Sequence, residues 1–198
     1  MTNTGDGYTA VAPGKIANIQ TRLQMRKRPK IRKEPPSADF SLERLRRPVD
    51  AVRYRTLYER IGADYLWASR LALSDAELLA ILNDPDDDVY VLRDSEDAGM
   101  LELDFRVAGE CEIKVFGIVD RLIRRGVGRW LINRAFELAW QRPIERLWLH
   151  TCTFDHPRAL EFYLRHGFEP YERRIEVLED PRLTGILRRH AAPNVPIL

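Results

Sequence analysis

The chain has 198 residues, of which 44% are apolar and 31% charged, and 32 Lys and Arg stand against 30 Asp and Glu. That is enough apolar sequence for one globular domain with its own core, while no run approaches the ~20 apolar residues of a membrane span. The first ten residues lack the basic-then-apolar order of a secretory leader, so a cytoplasmic enzyme is the default expectation. The two cysteines, Cys111 and Cys152, lie in strand-like runs, and no Cys/His cluster has zinc spacing; free thiols and no metal are expected.

In chain order, the small polar segment 1–15 is expected to fray. Residues 16–25 read as an edge strand that runs into a basic, proline-rich loop within 22–38. Pro48 and Asp50 suit a helix start, and Val52, Leu57 and Tyr58 mark the buried face of a helix that Gly62 stops. The aromatic stretch 63–71 has no strong period and reads as a loop. Ser74 and Glu77 have capping-box spacing, which predicts a helix to Asn83. Strands are predicted over 89–93, 99–105 and 111–119, the first two joined by a turn. Val127, Leu131, Ala135, Leu138 and Ala139 then share one helical face. Residues 145–152 are apolar at nearly every position, as in a strand covered on both faces. A short amphipathic helix, with Asp155 or His156 as its cap, ends at Gly167, and a further strand follows. The domain is expected to span 16–177, and the tail 178–198 to carry one short helix near 182–189 and otherwise lie along the surface.

The most informative stretch is Arg124-Arg125-Gly126-Val127-Gly128-Arg129, a glycine loop between a strand and a helix. Glycine removes the Cβ atoms that would block close backbone approach, and the free amides and dipole of the first helical turn favour a pyrophosphate. A P-loop would need Lys-Ser or Lys-Thr after the second glycine, and a Rossmann fingerprint would need glycine where Leu131 stands. Neither nucleotide reading fits.

Together with the segment Arg146 to Tyr171, RLWLHTCTFDHPRALEFYLRHGFEPY, this loop resembles the GNAT superfamily of acyl-CoA-dependent N-acetyltransferases over roughly residues 54–171. The resemblance implies an α/β fold with a mixed, mostly antiparallel sheet, two splayed central strands, and helices on both faces. It implies acetyl-CoA as cosubstrate, with Arg124, Arg125, Gly126, Val127, Gly128 and Arg129 around the pyrophosphate and Phe116 and Ile118 along the pantetheine arm. Tyr163 would face the sulfur. Ile123 stands where the family has Gln or Arg, and His156 where it often has Asn beside the cofactor. Tyr65 and Trp67 fall where the family lines its acceptor pocket.

Acetyl transfer by direct attack needs a neutral amine, a stabilised oxyanion and a proton for a leaving thiolate whose thiol pKa is ~8.5. Tyr163 is the candidate acid, and a backbone amide near Ile118 the candidate oxyanion donor. Strand alternation puts Glu112 on the face of Phe116 and Ile118, which makes it the candidate base. Glu102 and Asp104 share a face of the neighbouring strand, and Glu102 is assigned to the substrate side. His150 reads as a satisfied strand histidine. The acceptor is a small-molecule amine or a protein amino group. Two other readings stand beside this one: a non-catalytic acyl-CoA-binding module, and a nucleic-acid-binding protein using the basic stretch 22–33, which lacks interleaved aromatics. Edge strands and an apolar tail are compatible with a homodimer.

Overall fold

A computed structural model describes residues 6–34 and 40–198. The sheet has seven strands: β1 Lys15–Met25, β2 Ser41–Arg44, β3 Asp87–Arg93, β4 Asp97–Asp104, β5 Glu110–Ile118, β6 Arg146–Cys152 and β7 Glu169–Glu179. The helices are α1 Ala51–Gly62, α2 Asp75–Leu82, α3 Val127–Ala139 and α4 Ala159–Arg165. Local chemistry sets the helix starts. Asp50 accepts from the amides of Val52 and Arg53, and Ser74 with Glu77 forms the full capping box. Val52, expected on the buried face of α1, is 74% exposed; Tyr54, Leu57, Tyr58 and Ile61 make that face instead.

The strand order is β2-β3-β4-β5-β6-β1-β7, and every neighbouring pair is antiparallel except β5 with β6. The fold is therefore the mixed, mostly antiparallel one expected. Its main correction concerns β1, which is not an edge strand. It is inserted between β6 and β7 and bonds to both. β6 also departs from expectation: Leu147, Leu149 and Thr151 are buried, while Trp148, His150 and Cys152 face a partly open side.

Two faces of the sheet can be told apart by register, because directly paired residues point the same way. The α1 face holds a row of acids at its centre. Glu102 on β4 is fully buried, where it accepts from the Tyr54 hydroxyl and pairs with Arg70. Asp87 on β3, paired in register with Asp104, is 1% exposed, and neither of its carboxylate oxygens has a hydrogen-bond partner among the described residues. Burial first, and then the Glu102 charge, push the Asp87 carboxyl up to about 8 from its ordinary 3.8. The folded state thus favours the protonated acid, so the stability associated with this group is complete below the ordinary carboxylate range and is lost as pH rises toward 8. Asp87→Asn should raise the melting temperature near pH 8, with the gain vanishing in acid. Melting curves across pH check this; a gain that did not grow with pH would contradict it.

The tail after β7 forms turns where a short helix near 182–189 was expected, and it does not simply lie on the surface. It is built around Arg182, a buried residue that pairs with Asp180 and donates to the carbonyls of Ala191, Ala192 and Val195. Leu187, Ala191 and Ala192 pack with Ile16, Ala63 and Leu66 in a second, smaller core.

Candidate active site

β5 and β6 pair only from Glu110–Arg146 to Glu112–Trp148, and beyond that point they part. A cleft of about 1330 Å³ runs through the gap, reached from both faces of the sheet. Past Glu112 the backbone groups of β5 that point toward β6 have no strand partner, up to and including Ile118.

On one face the cleft meets the glycine loop. Arg124 and Gly126 are left-handed, with φ of 66° and 81°. The first helical bond of α3 runs from the Trp130 amide to the Gly126 carbonyl, and among the described residues no side chain caps the helix. The amides of Val127, Gly128 and Arg129 therefore have no intrahelical acceptor, and Gly126, Gly128 and Arg129 line the cleft; Val127, fully buried, and Arg125, exposed, were expected at the same ligand but do not line it. A set of free amides at a positive helix end, with no carboxylate among the described residues placed to cap it, fits a phosphate. Beside it, Phe116 packs against Phe162 and Tyr163 at ring separations of 5.8 and 6.0 Å. Tyr163 is 8% exposed, and its hydroxyl makes no hydrogen bond among the described residues. Burial, reinforced by the Asp155 charge, holds this phenol well above the ordinary tyrosine range, so it keeps its proton at neutral pH.

The opposite face is set by a bulge. Glu102 pairs with Val115 but Leu103 with Ile113, which leaves Lys114 as an extra residue in β5. The alternation is reversed there. Glu112 shares the face of Asp104, Glu102 and Gly117, whereas Phe116 and Ile118 face the other way with Leu101 and Gly99. The expected common face of Glu112, Phe116 and Ile118 is thus corrected. Contacts agree: a Cβ on Gly117 would come within 2.4 Å of Ile61 on α1, while Phe116 meets α4. Only glycine lets α1 and Trp67 approach β5 here.

On this second face the Glu112 carboxylate accepts from Lys114 Nζ at 3.2 and 3.3 Å and lies 3.3 Å from His150 Nδ1. His150 Nε2 has no partner among the described residues, and the ring lines the cleft. Trp148, Glu176, Arg22 and Asn18 continue the wall, and Asn18 donates to Glu176 at 2.8 Å. Pro181, Thr184 and Ile186 of the tail also line it.

Of the other expected site residues, Tyr65, Trp67, His156, Ile118, Arg124 and Arg129 line the cleft. Glu102 does not, and its assignment to the substrate side is corrected: its oxygens are spent on Tyr54 and Arg70 beneath the cleft floor. Asp155 is not a helix cap. Its carboxylate takes Trp67 Nε1 at 2.8 Å, the Thr151 hydroxyl at 2.7 Å and the Cys152 amide at 2.8 Å, which ties the aromatic loop to the end of β6. His150 reads in the sequence as a satisfied strand histidine because nothing near it in the chain marks its partner; Glu112 becomes its neighbour only through the β5–β6 pairing.

A family model described as the acetyltransferase (GNAT) family matches residues 54–168. Among curated proteins none matches the sequence. Three solved structures illustrate the likeness of fold. An aminoglycoside acetyltransferase from an uncultured soil metagenomic sample is 19% identical with a TM-score of 0.53, over 65% of this chain and 87% of its own. A GCN5-related N-acetyltransferase from Sphaerobacter thermophilus is 15% identical with a TM-score of 0.58, over 85% of this chain and 53% of its own. A conserved protein of unknown function from Staphylococcus epidermidis is 14% identical with a TM-score of 0.57, over 84% of this chain and 63% of its own. The chain thus spans less than two-thirds of the length of two of the three.

Proposed function

We propose, from the premise that the chain belongs to the acetyltransferase (GNAT) family, that it moves an acetyl group from acetyl-CoA to a primary amine by direct attack in a ternary complex. The observation that carries this reading is the two-sided gap between β5 and β6. An uncapped amide nest and a protonated phenol lie on one face, and a carboxylate–imidazole pair on the other.

Acetyl-CoA, when bound, supplies an acyl group activated as a thioester. The amides of Gly128 and Arg129 hold its pyrophosphate, helped by the Arg124 side chain, and Phe116 and Ile118 flank the pantetheine arm. His156 sits at the mouth of the cleft beside Tyr65, their rings 6.2 Å apart. Backbone donors on the free edge of β5, near Ile118, steady negative charge on the carbonyl oxygen. Tyr163 Oη delivers the proton that the departing thiolate needs.

On the acceptor face an incoming ammonium must lose a proton before it can attack. His150 Nε2 takes that proton, with Nδ1 held by Glu112, so the expected base becomes a pair in which Glu112 orients and His150 accepts. The carboxylates of Glu112 and Glu176, with the indole of Trp148, favour a cationic amine with an apolar body, whether a small molecule or a protein amino group. Tyr65 and Trp67 close the same side.

The test is release of free thiol from acetyl-CoA across a panel of amines. One amine class should give turnover. His150→Gln and Glu112→Gln should then lower turnover by about a hundredfold near neutral pH and regain part of it in alkali, where the amine, with a pKa of ~10, deprotonates unaided. No thiol release with any amine would count against transfer, and variants as active as the parent would remove the pair from it.

A further inference from the structure

Residues 22–25 of the basic stretch belong to β1 and not to the expected loop; the remainder, 26–33, has no place in the chemistry above, yet the fold carries its end to the cofactor side of the cleft. After Met25 the chain crosses to α3. There the Asn133 side chain, itself fully buried, donates to the Arg32 carbonyl at 2.8 Å and to Glu34 at 2.9 Å. Arg134 also bonds Glu34, at 2.5 Å, and Arg129 donates to the Lys33 carbonyl at 3.2 Å. Four contacts thus pin residues 32–34 across the helix whose N-terminus forms the amide nest.

The anchoring fixes where Arg32 points. Its side chain lines the cleft with Gly128, Arg129, Arg165 and His166. Its one hydrogen bond is to the Arg165 carbonyl, at 2.9 Å, and it has no acidic partner among the described residues. The Arg32 and Arg129 charges both help to hold the His166 imidazole below its ordinary range, after burial itself, so the two guanidiniums converge on one spot. Nearby acids are already engaged, Glu34 with Arg134 and Glu161 with Arg165. What remains is an uncompensated positive site beyond the glycine loop, at the C-terminal end of α4.

We infer that Arg32, delivered by this N-terminal strap, binds the 3′-phosphate of coenzyme A and makes the protein select the 3′-phosphorylated form of the cofactor. This rests on the acyl-CoA reading of the cleft. The nest amides already account for the pyrophosphate, and the 3′-phosphomonoester is the remaining phosphate of that molecule. It carries up to two charges and suits a guanidinium held in place by its backbone. Of the cations after β1, Arg32 then belongs to the cofactor site, while Arg26, Lys27, Arg28 and Lys30 stay exposed outside it.

Calorimetric titration of the full chain with CoA and with 3′-dephospho-CoA tests this. The parent should bind CoA about tenfold more tightly than the dephospho form, Arg32→Ala should reduce that preference to near one, and Arg32→Lys should keep part of it. Arg28→Ala, an exposed cation of the same stretch that does not line the cleft, should leave the preference intact. A parent that binds both forms equally, or an Arg32→Ala chain that weakens both by the same factor, would overturn the inference and leave the acyl-CoA reading standing. Failure of the parent to bind either form would overturn both.

Discussion

Gly126→Asp should bind acetyl-CoA at least about a hundredfold more weakly than the parent chain, with only a modest loss of stability. Gly126 has φ of 81° and immediately precedes α3. Asp and Asn enter that left-handed region more readily than other side chains, at a cost of about 1 kcal/mol, so the turn should survive. The Asp carboxylate, however, would sit where the pyrophosphate is held, and could itself cap the amides that now stand free. Gly126→Asn separates charge from bulk: it has the same shape without the charge, and should lose far less affinity. Titration and melting of both variants decide the matter. Equal losses for Asp and Asn would point to a steric effect, and retained affinity in both would remove the nest from cofactor binding.

Tyr163→Phe should lower turnover by about a hundredfold or more while changing the Michaelis constant for acetyl-CoA little. The ring is held by Phe116, Phe162 and Phe168, at centroid separations of 6.0, 5.4 and 5.9 Å, and Phe keeps that packing. Only the hydroxyl is lost, and in the parent it is bonded to no other described residue. Its cost should therefore fall on the step that needs a proton. Because burial and Asp155 keep the phenol protonated through neutral pH, loss of parent activity in acid should follow the acceptor side and not Tyr163. Steady-state kinetics with a saturating amine provide the measurement; unchanged turnover would leave Tyr163 as packing alone.

Local signals in the sequence were reliable where the structure depends on neighbours in the chain. Ser74 and Glu77 cap α2, Asp50 caps α1, and the Arg124–Arg129 loop opens α3, each as its residues suggest. Errors arose where distant pairing decides. The alternating strand β1 was readable, but not its insertion between β6 and β7, since both partners lie far along the chain. A single bulge at Lys114 moved Phe116 and Ile118 to the face opposite Glu112, and strict period-two counting has no means of finding it. Glu102 has the composition of a site residue, and its burial under Arg70 appears only when α1 is packed. The role of His150 required its Glu112 neighbour, and that of Arg32 required the buried Asn133 anchor.

The central claim is that the gap between β5 and β6 holds an acyl-CoA, and calorimetric titration of the parent chain with acetyl-CoA tests it most directly. Saturable binding of one molecule per chain is expected, weakened at least about a hundredfold by Gly126→Asp. Absence of binding by the folded parent, or binding that Gly126→Asp leaves unchanged, would contradict it.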